Sequence, residues 1–155
     1  MIHYVNEVRR SGIDRRALVA TAQRLLEGIG ESGASLSLRL VSDKTMRAIN
    51  REYRGKDRAT DVLSFPLDGQ HHAVAGSNAP ERLLGDVVIS VETARVQAAE
   101  YDASLDREVH RLLIHGLLHV VGYDHELPAQ RRSMVLQERR LAELIGLPWP
   151  YETQY

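Results

Sequence analysis

Residues 105–121 limit the possible fold more than any other segment, because they are apolar on nearly every side of a helix. At about 100° per residue, Val109, Leu113 and Leu117 point in directions well away from the polar residues of the segment. Glu108, Arg111, His115 and His119 share one narrow polar stripe, whereas His110 falls on the opposite side. A helix that is apolar on most sides must be covered by other elements. The segment therefore predicts a central, largely buried helix with one polar stripe.

Three histidines lie in this segment and in the turn after it. His115 and His119 are four residues apart, so on a helix they project from one side, about 6 Å apart along the axis. Gly122 favours the left-handed conformation that ends a helix, and the returning chain brings His125 towards the other two. Three neutral imidazoles with no fourth protein ligand nearby are typical of a zinc site that keeps one position open. The pattern predicts one catalytic Zn²⁺, although nickel, cobalt and copper also accept such ligands.

The same spacing occurs in the metzincin proteases, so a protease has to be considered. In those enzymes a glutamate directly follows the first histidine and acts as the general base. Here that position is Gly116, which has no side chain to accept a proton. Because glycine replaces the glutamate, a metalloprotease ranks third, behind the two functions considered below. A different reaction at the metal is favoured.

Composition and net charge limit the cellular compartments and the kinds of partner that are expected for this protein. A chain of 155 residues suits one domain with a substantial core, and the absence of cysteine excludes disulfides, thiolate metal sites and cysteine nucleophiles. The formal net charge is −1, so contact with nucleic acid must come from a local basic patch. No segment has the pattern of an export signal or a membrane span. We therefore expect a cytoplasmic protein with no membrane contact.

Apolar periodicity elsewhere predicts a single domain over residues 1–155, with about four strands and five helices. The expected strands cover residues 2–8, 35–41, 61–66 and 83–91. The expected helices cover residues 15–29, 43–53, 92–101, 105–121 and 128–145. Because strands and helices do not alternate regularly, we expect an α+β fold in which the helices pack on a mixed sheet.

Two segments carry no regular pattern. Residues 67–82 contain Gly, Ser, Asn and Pro without periodicity, which predicts a mobile loop or a hairpin excursion. Residues 147–155 form a tail that is either packed or disordered. The loop contains His71 and His72, but a histidine pair in a flexible loop is more often exposed to solvent than bound to metal.

The helix expected at 43–53 has two different faces. Met46, Ile49 and Tyr53 fall at the spacing of a core-facing stripe. Basic residues recur on another face and continue into the following loop, and we call the six together the basic ridge: Lys44, Arg47, Arg51, Arg54, Lys56 and Arg58. On a nearly neutral protein this ridge is where a phosphate backbone could bind. The alternative is an ordinary solvated helix face.

Three blocks of sequence resemble a known family. The segment His115–His125, which reads His-Gly-Leu-Leu-His-x-x-Gly-Tyr-Asp-His, resembles the signature of the YbeY family of bacterial metal-dependent endoribonucleases. The other blocks are Asn50–Asp57 with Thr60–Pro66, and Leu84–Ser90. They come in the family's order and cover about residues 40–126. One difference is Ala59, where the family commonly has proline, and this change removes no reactive group.

The resemblance implies an activity and roles for four residues. It implies that His115, His119 and His125 are zinc ligands and that Arg54 is an essential catalytic cation. The implied activity is single-strand-selective cleavage of ribosomal RNA, in maturation of the small-subunit RNA 3′ end and in ribosome quality control. The implied partners are ribosomal RNA, the small ribosomal subunit, a small-subunit ribosomal protein and an assembly GTPase.

Two questions stay open from the sequence. The proton acceptor could be hydroxide on the metal, Asp124 beside the third histidine, or Glu108 on the polar stripe. Asp124 could instead orient a metal-binding imidazole without accepting the proton. Asp61 and Asp86 could equally serve as hydrogen-bonding residues at strand ends or in loops. The alternative function is a ribosome-assembly factor that docks on RNA without cutting it and whose metal is structural, although structural zinc usually has four protein ligands.

Overall fold

The computed structural model describes residues 1–67, 71–72 and 81–149. Its strands are β1 (Ile2–Asn6), β2 (Ser35–Val41), β3 (Val62–Pro66), β4 (His71–His72) and β5 (Glu81–Ser90). The helices of this described part are α1 (Arg15–Gly28), α2 (Asp43–Arg54), α3 (Val91–Glu100), α4 (Leu105–Val120) and α5 (Pro128–Leu144). The predicted α+β class is confirmed, and most boundaries fall within one or two residues of the sequence-based ones.

The main sheet is mixed, as predicted, and has the strand order β1-β2-β5-β3. Strands β1, β2 and β5 are parallel, whereas β3 runs antiparallel to β5. Strand β5 begins earlier than expected, because residues 81 and 82 pair with the short strand β4. Of the two alternatives predicted for residues 67–82, a mobile loop or a hairpin excursion, this antiparallel pairing of β4 with β5 fits the hairpin. Residues 68–70 and 73–80 lie outside the described residues.

One face of the sheet carries the main core. Leu36, Leu38 and Leu40 of β2 point to this face and are fully buried. Helix α4 packs against β3 and β5, and its Leu113 and Leu117 are fully buried in the same core cluster as these leucines. Helices α1 and α5 cover the outer side of α4, so the predicted central helix is confirmed.

The other face is covered in part by α2. Its Met46 is fully buried in a small second cluster with Val41, Leu63 and Val88. Tyr53 was expected on the same core-facing stripe, but its side chain is 65% exposed. That expectation was wrong, because burial falls along the stripe from the first turn of α2 to the last.

The ends of the described chain add two observations. Leu147 and Trp149 pack against the main core, and the rest of the predicted tail, residues 150–155, lies outside the described residues. None of the helices in the part of the chain covered by the structure has the length and apolar character needed to cross a membrane.

Candidate metal centre

Helix α4 and the turn after it bring the three predicted histidines together. The Nε2 atoms of His115 and His119 lie 3.2 Å apart. The ring of His125 lies 5.8 Å from that of His115 and 5.1 Å from that of His119, measured between centroids. One ligand nitrogen from each residue lies within 4.8 Å of the other two, and all three side chains are half-buried.

This arrangement fits a shared metal ion. Two imidazole nitrogens bound tetrahedrally at about 2.0–2.1 Å from one zinc lie about 3.3 Å from each other. The separation of 3.2 Å between His115 and His119 is close to that value. Neutral imidazole nitrogens suit zinc and several other transition metals. The three side chains can therefore hold one ion, while the identity of the metal stays a prediction.

Backbone interactions hold the turn that carries His125. Gly122 has a φ of +104°, a conformation that glycine adopts easily, and the amide of Tyr123 donates to the carbonyl of Leu118. Arg131, from the first turns of α5, donates from Nε to the carbonyl of His125 at 2.8 Å. Helix α5 therefore fixes the position of the third histidine as well as covering α4.

A carboxylate that sequence reasoning missed lies behind the first histidine. Glu138 of α5 is 4% exposed, and its Oε2 lies 3.4 Å from Nδ1 of His115. A carboxylate at this nitrogen favours the tautomer that leaves Nε2 free to bind a metal. The sequence did contain a signal, because Glu138 occupies a core-facing position of α5 between Met134 and Leu141.

Gly116 has a packing role that explains the absence of a glutamate there. A Cβ atom at this position would lie 2.7 Å from Cγ1 of Val87 and 3.1 Å from Cγ2 of Val62. The hydroxyl of Ser64 also donates to the Gly116 carbonyl at 2.8 Å. Helix α4 thus approaches β3 and β5 so closely that any side chain at this position would be crowded.

The environment of His119 favours the neutral form of its imidazole. Burial lowers the pKa of His119 below its ordinary value of 6.5, and the neighbouring His115 and His125 lower it further. Asp124 and a hydrogen bond between the His119 ring and the backbone of Tyr123 act in the opposite direction. A neutral imidazole is the form that binds metal, so the lowered pKa suits a ligand.

The two carboxylates named as candidate bases make different contacts. Asp124 accepts a hydrogen bond from the backbone amide of His125 at 2.7 Å, so it stabilises the turn. Glu108 is fully buried, and its Oε1 accepts a hydrogen bond from Nε of Arg111 at 3.0 Å. Neither contact involves an imidazole ring, and a role for these two residues as base or as support for a ligand stays a prediction.

Glu108 and Arg111 belong to a polar network beside α4. The guanidinium of Arg111 also donates to the side-chain oxygen of Gln97 at 3.3 Å. Gln97 in turn donates to Oδ2 of Asp61, at the start of β3, at 3.2 Å. His110 lies elsewhere, with its Nδ1 3.5 Å from the hydroxyl of Thr21 on α1.

The basic ridge lies on α2 and the following loop, and all six of its side chains are exposed. Asp57 accepts two hydrogen bonds from Arg47 and lies 4.0 Å from Arg51, so part of the positive charge is compensated. Arg54 is the last residue of α2, and its side chain makes no hydrogen bond or ion pair with another residue of the described chain. No such contact connects the ridge with the three histidines within residues 1–67, 71–72 and 81–149. The catalytic and RNA-binding roles of the ridge residues therefore stay predictions.

Comparison with known proteins matches this chain to one family. The family model described as endoribonuclease YbeY matches residues 3–146. The endoribonuclease YbeY of Anaeromyxobacter sp. (strain Fw109-5) is 48% identical over 132 residues, which cover 85% of this chain and 65% of that protein. The endoribonuclease YbeY of Geobacillus thermodenitrificans is 38% identical over 149 residues, which cover 94% of each chain.

The fold is also similar to a solved structure. The solution structure of TM1509 from Thermotoga maritima matches with a TM-score of 0.62 and 26% identity, over 94% of this chain and 89% of that one. The chain spans slightly less than two thirds of the length of the two Anaeromyxobacter relatives that it matches.

Proposed function

The chain belongs to the YbeY family of endoribonucleases, and on that basis we propose that it is itself a metal-dependent endoribonuclease. The observation that carries the proposal is the three-histidine centre, in which His115 and His119 present their Nε2 atoms to each other at 3.2 Å. Three protein ligands leave one coordination position for substrate, as in catalytic zinc sites. We propose zinc as the ion, because it is commonly held by three imidazoles in hydrolytic enzymes.

Hydrolysis of a phosphodiester builds negative charge on the phosphate oxygens, and the centre and Arg54 would share the task of stabilising it. A bound zinc ion supplies Lewis acidity towards a phosphate oxygen and the attacking water. The guanidinium of Arg54 offers two parallel donors in a plane, which suits a phosphate group. Its exposure and its lack of a partner among the described residues leave it available to the substrate.

The remaining ridge residues would bind the backbone of the RNA on either side of the cleaved bond. Lys44, Lys56 and Arg58 are exposed and make no ion pair within the described chain, whereas Arg47 and Arg51 are partly compensated by Asp57. Contacts of this kind supply affinity without reading sequence. The ridge would therefore hold the strand while the histidine centre determines where it is cut.

We propose single-stranded ribosomal RNA as the substrate, cut in the cytoplasm during 3′-end maturation and quality control of the small subunit. The support is the resemblance of the three sequence blocks to the YbeY family. The same resemblance supports contacts with the small subunit, one of its proteins and an assembly GTPase. These partners can be tested by co-purification with metal-loaded protein.

The experiment compares cleavage of a labelled single-stranded ribosomal RNA fragment by wild type, His115→Ala and Arg54→Glu. The matched control is Arg132→Glu, because Arg132 is an exposed arginine on α5, away from the ridge. We expect both test variants to lose cleavage while keeping the wild-type circular dichroism spectrum, and the control to cut normally. Retained, metal-independent cleavage by both test variants would show that a contaminating nuclease cuts the RNA.

The same preparation separates an enzyme from an assembly factor with a structural metal. Removal of a catalytic ion should abolish cleavage and reduce stability only modestly, whereas removal of a structural ion should unfold the domain. Chelation followed by a thermal melt distinguishes the two. An intact fold without cleavage supports the enzyme, and unfolding on chelation supports the assembly factor.

A further inference from the structure

Tyr53 is an aromatic side chain that the fold leaves outside the core. It lies on the apolar stripe of α2, where Met46 is fully buried and Ile49 is half-buried, yet its own side chain is 65% exposed. Scattered exposed apolar residues are common and need no explanation by themselves. Here, however, the exposed ring has an aromatic neighbour and is followed in the chain by exposed cations without ion-pair partners among the described residues, and those two features call for an explanation.

The aromatic neighbour is Phe65 of β3, which holds Tyr53 from one side. The two ring centroids lie 5.5 Å apart with an angle of 67° between the planes, an edge-to-face arrangement. Phe65 is half-buried and packs against the small cluster under α2. Tyr53 is therefore supported by a ring anchored in the core while most of its own surface faces solvent.

Two exposed cations without an ion-pair partner among the described residues, Arg54 and Lys56, follow Tyr53 closely in the chain. Arg54 follows Tyr53 in the chain, and Gly55 then turns the backbone with a φ of +68°. The buried side chain of Asn50 holds the next segment, because its Nδ2 donates to the carbonyl of Arg58 at 2.8 Å. Lys56 therefore lies on a supported turn, three residues after Tyr53 in the chain, rather than on a free loop.

We propose that Tyr53, supported by Phe65, is a stacking site for an unpaired base of single-stranded RNA, with Arg54 and Lys56 on the adjoining phosphates. An exposed aromatic ring next to cations is the arrangement with which proteins bind single strands. The bases of a duplex are stacked on one another and offer no free face at such a site. The proposal rests on the proposed function and adds a physical basis for its preference for single strands.

The test measures binding of a fluorescein-labelled single-stranded RNA by anisotropy over a range of salt concentrations, with a chelator present so that no strand is cut. We expect Tyr53→Ala to weaken binding roughly 5- to 100-fold and to leave the salt dependence unchanged. Tyr53→Trp should bind at least as tightly as wild type. Arg54→Ala should instead lower the slope of log K against log salt by about 0.7, the value for one phosphate contact on a single strand.

Two controls separate stacking from an indirect effect. Leu136→Ala removes a side chain of similar exposure, 67%, from a different helix, α5, and it should bind RNA like wild type. A strand of the same length with abasic positions should bind wild type and Tyr53→Ala equally well, because it has no base to stack.

The possible failures are distinguishable. One possible result is that wild type binds the RNA, Arg54→Ala binds it more weakly, and Tyr53→Ala binds it like wild type. In that case the stacking site is overturned and the proposed function stands. The stacking site is also overturned if Tyr53→Ala weakens binding of the abasic strand as much as it weakens binding of the intact RNA. If wild type binds no single-stranded RNA under any salt condition, both proposals fall.

Discussion

Glu138 Oε2 lies 3.4 Å from Nδ1 of His115, and the two residues come from helices that are separated by the turn carrying His125. The carboxylate is buried, so solvent does not replace it as a partner for the imidazole. By holding the proton on Nδ1, it leaves Nε2 as the nitrogen that faces His119. Packing of α5 on α4 therefore favours the tautomer of His115 that suits a metal ligand.

Replacing this carboxylate should weaken metal binding. Glu138→Gln keeps the size of the side chain but removes its charge, and we expect the affinity for zinc to fall about 10- to 100-fold. Competition with a chromophoric chelator measures the affinity, and nitrogen NMR of His115 reports its tautomer. Glu143→Gln is the matched control, because Glu143 is exposed on the same helix. An unchanged affinity in Glu138→Gln would contradict the positioning role.

Gly116 is expected to tolerate no larger side chain. Gly116→Val would force its methyl groups against Val87 and Val62, and we expect it to lower the free energy of unfolding by about 2 kcal/mol or more. Urea denaturation of the metal-free protein measures the change. Gly33→Val serves as control, because no atom outside its immediate neighbours lies within 4 Å of the Cβ position there. Equal stability of the two variants would refute the packing argument.

Acid should destabilise the metal-free protein, in part through His119. Its pKa is lowered in the folded state by burial and by His115 and His125, so the unfolded chain binds the proton more readily. Stability is therefore complete above pH 6.5, the ordinary value, and falls as the pH drops through the lowered pKa. Burial acts in the same direction on His110.

Urea unfolding at pH 7.5, 6.0 and 5.0 tests this pH dependence. His119→Asn should lose less stability on acidification than wild type does, and His119→Asn combined with His110→Asn should lose less still. A fall in stability that is identical in wild type and in the double variant would assign the acid sensitivity to other groups.

Asp57 should limit the charge that the basic ridge offers to RNA. It accepts two hydrogen bonds from Arg47, which hold the pKa of this carboxyl below its usual range, and it also lies near Arg51. Asp57→Asn releases these cations, so we expect tighter binding of single-stranded RNA and a salt slope steeper by about 0.7–1.4. Asp102→Asn removes an exposed carboxylate elsewhere and should change neither quantity. Weaker binding by Asp57→Asn would mean that the ion pairs are needed to shape the surface.

Local pattern was enough to predict the centre of the molecule. The apolar sides of α4 and its stripe of polar residues follow from helical periodicity alone. The meeting of His115, His119 and His125 follows from a spacing of four residues and a glycine that ends the helix. Both inferences need only contacts between residues close in the chain.

The other features of the site and its surroundings depend on packing between segments that are distant in the chain. Apolar periodicity carries no information about such packing. Glu138 reaches His115 only because α5 returns across α4, and Gly116 is required only because β3 and β5 approach the helix. Tyr53 fits the pattern of a core residue, yet the small cluster under α2 does not extend to the last turn of that helix. Arg47 reads as a free cation until the turn brings Asp57 beside it.

The most direct test of the central claim is metal content by mass spectrometry, with cleavage of a labelled single-stranded ribosomal RNA fragment measured on the same samples. Wild type should carry one metal ion, expected to be zinc, and should cut the RNA. His119→Ala should lose both the ion and the cleavage, because it removes one of three ligands. A carefully prepared wild type that binds no metal, or a variant that cuts RNA without metal, would contradict the account.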